Sequence, residues 1–163
     1  MNKNLREAVL NDLKTVFEQK SNPLALGVED YPGNPALFQI RHPRGHILVR
    51  YVRSQYATTS SSDSAVQKRA MSFEAVILLR DLRTTADAEP YIELARKRIQ
   101  GFKIPGCSIV TIASDGFVAE NNGIWQYNIV FGSSTLSANP DVDDTRPPFK
   151  TITLNRHTEE PEL

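Results

Sequence analysis

The amino-acid sequence predicts an α+β fold in which a mainly antiparallel sheet is flanked by two helices. Two segments carry apolar residues at spacings of three and four, which is typical of amphipathic helices. Other short segments alternate between apolar and polar residues or are continuously apolar, which is typical of strands. The predicted order is helix, hairpin, long strand, helix and two strands, with both helices on one face of the sheet.

The first helix is predicted by an apolar stripe near the N-terminus. The members of this stripe are Leu5, Ala8, Val9, Leu13, Val16 and Phe17. Asn4 followed by Glu7 resembles a capping box at the start of this helix, and Ser21-Asn22-Pro23 ends it. The second helix is predicted to begin near Glu89 and to end before Gly101, a residue type that suits the position after a helix.

The strands are predicted from shorter apolar segments between turn signals. They cover residues 37–40, 46–51, 71–80, 108–113 and 124–131. The first two are expected to form a hairpin around His42-Pro43-Arg44-Gly45. Turns between the last two are indicated by Asp115-Gly116 and by Asn121-Asn122-Gly123. The segment Ala57–Ser64 has no large apolar side chain, so we expect a mobile loop there.

The length and charge of the chain favour one soluble domain. A chain of 163 residues is long enough to bury a sizeable core. Its 19 lysines and arginines balance 19 aspartates and glutamates, which disfavours a protein built mainly to bind nucleic acid. No apolar run approaches the roughly 20 residues that cross a bilayer, and the N-terminus lacks the apolar segment of a secretory signal. We therefore expect an unexported protein with no membrane partner.

The chain is predicted to divide into one domain, residues 1–136, and an extended C-terminal arm, residues 137–163. The arm contains an acidic run at Asp141, Asp143 and Asp144 and is too short to hold a core of its own. The acidic run lacks the glycine and glutamate of an EF-hand loop, so we interpret it as a solvated linker. Within the arm, Phe149–Leu154 is predicted to be a short strand.

The aromatic residues of the last predicted strand and the single cysteine are expected to be structural. Trp125 and Tyr127 share one face of that strand with Ile129 and Phe131, which favours core packing over an exposed anchor. Cys107 is the only cysteine, so no internal disulfide forms. No base lies near Cys107 in the sequence, and we interpret it as a small buried apolar residue.

The sequence contains none of the common catalytic or phosphate-binding motifs. Walker, dinucleotide-binding, nucleophile-elbow, zincin and paired-cysteine patterns are missing. His42 and His46 are four residues apart, but a proline and a glycine between them disfavour a helix and therefore a metal site. We predict no catalytic residues, no metal and no cofactor. A small enzymatic or ligand-binding domain that uses His42, His46 or Cys107 remains an alternative.

Four basic residues lie on neighbouring predicted segments: Arg50, Arg53, Lys68 and Arg69. A solvated face is one interpretation of this cluster. A charged contact surface for another subunit or for DNA is the other.

Several segments together resemble one protein family. They are Gln67-x5-Phe73, Ile77-Leu78-Leu79-Arg80-Asp81-Leu82-Arg83, Pro90-Tyr91-Ile92-x-Leu94, Arg98-Ile99-x-Gly101-Phe102, Pro105-Gly106-Cys107 and Gly123-Ile124-Trp125-x-Tyr127-x3-Phe131. In this order and spacing they resemble the tail terminator, or tail completion, proteins of Mu-like contractile-tailed phages and prophages. The resemblance covers roughly Leu5 to Thr135.

The resemblance implies an α/β sandwich that assembles as a hexameric ring on the last ring of the tail tube. Such a ring ends tube growth, contacts the tail tube and tail sheath proteins and joins the neck, or head-tail connector, at the tail–neck junction of the virion. DNA passes through it only as cargo, and no catalytic residue or cofactor is implied. Another neck or tail-joining virion protein of related fold is the alternative.

A ring subunit needs surfaces that fit copies of itself. The basic cluster and the predicted strand of the arm are our candidates, because strands at an edge can pair across subunits. The residues predicted to lie at subunit interfaces are Arg50, Arg53, Lys68, Arg69, Phe149, Ile152 and Leu154.

Overall fold

The computed structural model describes residues 5–58 and 66–138, which contain two helices and five strands. The helices are α1 (Leu5–Phe17) and α2 (Glu89–Ile99). The strands are β1 (Gly27–Asp30), β2 (Gly45–Tyr56), β3 (Gln67–Arg80), β4 (Thr111–Asn121) and β5 (Ile124–Ser137). Short 3-10 helices cover Pro35–Leu37 and Thr85–Ala88.

The five strands form one sheet in the order β1-β2-β3-β5-β4. The longest ladder joins β3 to β5 and runs from the pair Gln67 and Ser137 to the pair Arg80 and Ile124. Every neighbouring pair is antiparallel except β1 and β2, which are parallel. The predicted α+β class with a mainly antiparallel sheet is therefore confirmed.

The main core lies between the two helices and one face of the sheet. Along β3, the five residues predicted to share a face are all buried: Met71, Phe73, Ala75, Ile77 and Leu79. The buried stripe of α1 and the buried residues of α2 belong to the same cluster. Arg98 on α2 donates to Asp12 on α1, with Nη2 and Oδ1 2.6 Å apart, which ties the two helices together at the surface.

The aromatic strand and the cysteine are placed largely as predicted. Tyr127, Ile129 and Phe131 are buried in the core. Trp125 is only partly buried and packs against the edge of the core, beside the exposed Phe117. Cys107 is buried, as expected for a small apolar residue.

The predicted hairpin of residues 37–40 with 46–51 is wrong. Residues Pro35–Leu37 form a 3-10 helix instead, which Asn34 caps by accepting the N–H of Ala36 at 3.2 Å. The strand beside β2 is β1, which pairs in parallel with His46–Val49. Only Val28 of β1 is buried, so a four-residue strand of this kind has no detectable period in the sequence.

The strand predicted at residues 108–113 is observed farther toward the C-terminus, as β4. Asp115-Gly116, which was expected to form a turn, lies inside this strand. These two residues pair with Ile129 and Asn128 of β5. The turn between β4 and β5 is made by Asn122 and Gly123, with φ of 51° and 79°, as a two-residue hairpin turn requires.

The helix boundaries follow the local signals. Glu89 begins α2 with a proline in its first turn, and Gly101 after its end has a φ of 81°.

Asn4 of the predicted capping box lies outside the described residues, as do most of the predicted loop 57–64 and nearly all of the predicted arm. The predicted boundary between domain and arm after residue 136 stays a prediction. The last described strand, β5, ends at Ser137, and the residues from 139 on are not described. Neither helix in the described part is long and apolar enough to cross a bilayer.

Candidate subunit interface: two unpaired sheet edges

One lateral edge of the sheet is covered over only part of its length. Since β1 pairs only with His46–Val49, the second half of β2 extends beyond it. The last backbone bond on that side joins the N–H of Tyr31 to the carbonyl of Val49 at 2.9 Å. Residues 51–56, here named the β2 edge, have no backbone partner on their outer side in the described chain.

The other lateral edge is β4. Just before it, Val110 exchanges two backbone bonds of 2.9 Å with Gly101 and Phe102, in the segment after α2. From residue 111 to residue 121, here named the β4 edge, the outer side of the strand meets no backbone partner among the described residues. An unpaired row of N–H and C=O groups of this length is a template for another strand.

The outer side of β1, by contrast, is partly occupied. Glu18, one residue after α1, accepts the backbone N–H of Val28 through Oε1 at 3.3 Å. Arg6 on α1 forms an ion pair with Asp30 at the end of the strand. The short strand β1 is therefore capped by side chains, whereas no side chain of residues 5–58 and 66–138 caps the β2 or β4 edge in this way.

Exposed apolar side chains are concentrated on the two unpaired edges. Five of the nine large apolar side chains that are exposed in the described part lie there. They are Tyr51, Val52 and Tyr56 on the β2 edge and Phe117 and Val118 on the β4 edge, each 45–54% exposed. Scattered exposed apolar residues are normal, but clustering on strands that lack a partner is typical of an interaction surface.

Each edge also carries a β-bulge at an exposed valine. The β2 ladder shifts register between Tyr51 and Arg53, so Val52 is the extra residue. The β4 ladder shifts between Phe117 and Ala119, so Val118 is the extra residue, and it shifts again at position 113. Bulges increase the local twist of an edge strand and re-aim its side chains.

The two edges differ in charge. Within β4 the only charged residues are Asp115 and Glu120, both acidic and exposed. The β2 edge carries Arg53, and the first residues of β3 carry Lys68 and Arg69. Opposite charge is therefore separated onto the two sides of the sheet.

The predicted basic cluster is divided by the strands. Directly opposed residues share a face, so Arg53, opposite Ser72, lies on the same face as Lys68, while Arg69 points to the helix side. Arg69 donates through Nε to Ser54 Oγ at 2.8 Å. Arg53 and Lys68 are exposed and make no ion pair or side-chain hydrogen bond in the described chain. Phe149, Ile152 and Leu154 lie outside the described residues.

Arg50 is engaged within its own chain. Its Nε donates to Glu74 Oε2 at 2.6 Å, and Nη2 lies 2.5 Å from the same oxygen. Asn128 on β5 donates to the other oxygen of Glu74 at 3.0 Å. The guanidinium also stacks over Tyr31, 4.6 Å from the ring centroid. Of the four basic residues, Arg50 is thus the one whose charged group is most fully bound within its own chain.

His46 anchors the segment 31–44 to the face of the sheet opposite the helices. Its Nε2 accepts the backbone N–H groups of Arg41 and His42, each at 3.1 Å. Burial lowers the pKa of His46, an effect that the carboxylate of Glu29, 3.9 Å from Nδ1, partly opposes. Because the Nε2 lone pair is occupied, it is not available to a metal. The described residues contain no cluster of three or more potential metal ligands.

The structure separates the histidines from the cysteine. His46 is level with Leu78 and Gln126 in the sheet, whereas Cys107 bridges to Thr135. Positions 126 and 135 on β5 are roughly 30 Å apart at about 3.3 Å per residue. The two histidine rings meet edge to face, with centroids 6.4 Å apart. His42, His46 and Cys107 therefore do not converge on one site.

A cleft of about 680 Å³ lies beside the start of α2. Its lining includes charges of both signs, namely Arg44, Arg80, Asp81, Arg83 and Asp87. Arg44 donates to Tyr91 Oη at 3.2 Å. Asp87 accepts the backbone N–H groups of Arg83 and Thr84, which lowers the pKa of its carboxyl. These contacts tie the segment before β2 to α2 and close the connection between β3 and α2.

Sequence reasoning had not identified the β4 edge. The pair Asp115-Gly116 favoured a turn, so the exposed Phe117 and Val118 were not placed on a strand. The signal in the sequence is two adjacent large apolar residues, Phe117 and Val118, directly after a pair that favours a turn.

The described residues form a small α+β fold whose sheet has, within that part of the chain, one unpaired edge on each side. The chain belongs to the Gp37 protein family, a family of phage proteins, whose model matches residues 18–156. The resemblance drawn from the sequence is thereby confirmed at the level of a phage protein. The match extends through residues 139–156, which the sequence resemblance had not covered. No curated protein matches the chain.

Proposed function

We propose that the chain is a structural virion protein that forms a ring, hexameric in the assembled tail, at the end of the phage tail tube. The ring ends the growth of tube and sheath and provides the surface that joins the tail to the neck. Membership of a phage family and the resemblance to tail terminators support this role. The observation that carries it is the pair of unpaired, apolar edges on opposite sides of one sheet.

A subunit with two different unpaired edges, each able to bind another copy, is suited to ring formation. When one side of a subunit binds the other side of the next, the contact is heterologous, and it generates a ring if the rotation closes. The formal net charge of zero suits this role, because copies of a strongly charged subunit would repel one another. In this role the chain makes and breaks no covalent bond and needs no cofactor.

The partners in this proposal are further copies of the chain, the tail tube and tail sheath proteins and the neck, or head-tail connector, proteins. DNA passes through the lumen as cargo. The place of the protein is the tail–neck junction of the virion, after assembly in the host cytoplasm.

Tail assembly in the absence of the protein tests the proposal. We expect tubes of variable and excessive length in negative-stain images, because nothing ends their growth. Addition of the purified full chain to growing tubes should stop elongation and add a mass of six copies to the tube end. Normal, uniform tubes without the protein would contradict the proposal. Labelled protein found only within the neck, away from the tube end, would favour the role of a neck protein instead.

A further inference from the structure

Building on the ring proposed above, we propose that subunits join by pairing the β4 edge of one copy with the β2 edge of the next, so that the sheet continues from subunit to subunit. The occupant of each edge is then a second copy of this chain. The β2 edge spans about 20 Å and the β4 edge about 36 Å at roughly 3.3 Å per residue, so the β2 edge fits within the β4 edge.

The strand directions permit this pairing without inverting a subunit. Between β2 and β4 lie three antiparallel steps, from β2 to β3, from β3 to β5 and from β5 to β4. In one chain β2 and β4 therefore run in opposite directions. A second copy placed beside the first in the same orientation brings its β4 antiparallel to the first copy's β2, which is the more stable form of strand pairing.

Charge favours this head-to-tail pairing over the two symmetric pairings. A β4 edge against a β4 edge places Asp115 and Glu120 near their own copies, and a β2 edge against a β2 edge does the same for Arg53. Like charges on opposed strands destabilise a pair. In the head-to-tail pairing Arg53, opposite Ser72, lies on the face away from the helices, whereas Asp115 and Glu120, opposite Ile129 and Trp125, lie on the helix face. The head-to-tail pairing therefore avoids like-charge contacts without placing Arg53 directly against either carboxylate. Arg96, the basic residue that faces Asp115 within the chain, is itself bonded to Glu93 at 2.6 Å.

The exposed apolar residues are buried by the same pairing. Val52 and Val118 are extra residues at the bulges of the two edges and are exposed to nearly the same extent, 45% and 46%. Tyr51, Tyr56 and Phe117 flank them. Aromatic residues are enriched at specific interfaces, and each edge carries at least one that is exposed.

The test uses matched lysine substitutions in the full chain. Val118→Lys blocks the β4 edge and Val52→Lys blocks the β2 edge, because a lysine on an edge strand opposes pairing. Leu37→Lys, at an exposed aliphatic residue of the 3-10 helix, is the control. Native mass spectrometry on each protein, alone and with tail tubes, gives the number of copies. We expect rings from wild type and Leu37→Lys, and no oligomer from either edge variant.

An equimolar mixture of the two edge variants separates head-to-tail from symmetric pairing. Each variant retains one intact edge, so the mixture should form a dimer containing one copy of each and nothing larger. Rings from Val118→Lys or Val52→Lys alone would overturn the inference and leave the ring function standing. Dimers of one edge variant with itself would also overturn it, because they require a symmetric contact.

Edge pairing and the proposed function fail in distinguishable ways. Edge-dependent oligomers of wild type that do not bind tail tubes would contradict the function and support the edge pairing. Wild type that stays monomeric with and without tubes would contradict both. If a lysine variant does not fold, Tyr56→Lys replaces Val52→Lys and Phe117→Lys replaces Val118→Lys, because both residues are exposed on the same two edges. Each of these changes should abolish rings, and Leu37→Lys should leave them unchanged.

Discussion

The two faces of the sheet are held by different kinds of interaction. On the helix face, the buried side chains contributed by β3 and β5 are aliphatic or aromatic apart from Ser133, and the largest of them, such as Phe131 and Ile77, are fully buried. On the opposite face the cover is the segment 31–44, and the buried side chains Leu48 and Val76 are accompanied by Glu74 and His46. Apolar packing responds little to pH or salt, whereas buried polar contacts respond to both.

The difference shows how a small protein keeps part of its sheet accessible. The helices extend the core across one face, while the irregular segment is fastened to the other face at single points. Those points are the Nε2 acceptor of His46, the carbonyl of Ile40, which receives a bond from Arg80, and the ring of Tyr31, over which Arg50 stacks. Glu74 in turn holds Arg50 in place. Beyond the last of these points no described residue covers the outer side of β2, and there the β2 edge begins.

The largest expected effect is on the helix face. Phe131→Ala removes a fully buried ring that stacks on Phe73, with centroids 5.6 Å apart. We expect a loss of about 3–5 kcal/mol in the free energy of unfolding, measured by urea denaturation. Phe117→Ala, on a ring that is half exposed, is the control and should cost about 1 kcal/mol or less. Equal losses for the two variants would contradict the described core.

Trp125 lies at the border of the helix-face core, and its substitution tests how far that core extends. Full burial, as expected from the sequence, would give Trp125→Ala a cost of about 3–5 kcal/mol. The structure places the indole only partly inside, against Phe117, with ring centroids 6.0 Å apart. We therefore expect about 2–3 kcal/mol, again by urea denaturation. A loss as large as that of Phe131→Ala would mean that Trp125 belongs to the core.

On the opposite face, Glu74→Ala tests the polar fastening. The carboxylate side chain is 10% exposed and binds Arg50 and Asn128. Removal of the carboxylate leaves Asn128 without its acceptor. Arg50, whose side chain is 44% exposed, can donate its hydrogen bonds to water instead. The expected cost is about 1–2 kcal/mol. Glu74→Gln, which keeps an acceptor, should cost less, and a loss that does not fall with added salt would contradict an ionic contribution.

Much of the fold was predictable because its signals are local. The alternation from Met71 to Leu79 predicts a strand with one buried face, and the Glu89 to Gly101 segment carries its own start and stop signals. The strand β1 was not predictable, because a single buried residue sets no period and the parallel partner lies 19 residues away, as in the pair Val28 and Ile47. The ladder with β5 overrides the turn preference of Asp115-Gly116.

The candidate interface was predictable only in part. Arg53 and Lys68 were identified from charge alone, and the structure leaves both exposed and without an ion-pair partner in its described part. That β4 lies at the edge follows from β5 inserting between β3 and β4. Strand order is a property of the whole sheet, and no residue of β4 encodes it. Phe117 and Val118 therefore become informative only once the order is known.

The smallest expected effect is a pH dependence that distinguishes the two faces. Burial lowers the pKa of His46 from its ordinary value of 6.5, so the folded state favours the neutral ring whose Nε2 accepts from Arg41 and His42. Between the lowered pKa and 6.5 the unfolded chain binds more protons. The contribution of His46 is therefore complete above pH 6.5 and is lost as the pH falls below it.

Urea denaturation from pH 8 to pH 5 measures this loss, which His46→Gln should reduce because glutamine keeps an acceptor and does not titrate. The groups that bear on His46 are Glu29, which favours its charged form, and His42, Arg80 and Arg41, which oppose it. His42→Gln is the matched control and should retain the pH dependence. Since protonation removes the acceptor for two N–H groups of the segment 31–44, the protection of the Arg41 and His42 amides, that is, their exchange rate relative to the intrinsic rate at the same pH, should fall at low pH. Protection in β5 should not change. An equal loss of protection on both faces would mean that the segment and the helix-face core unfold as one unit.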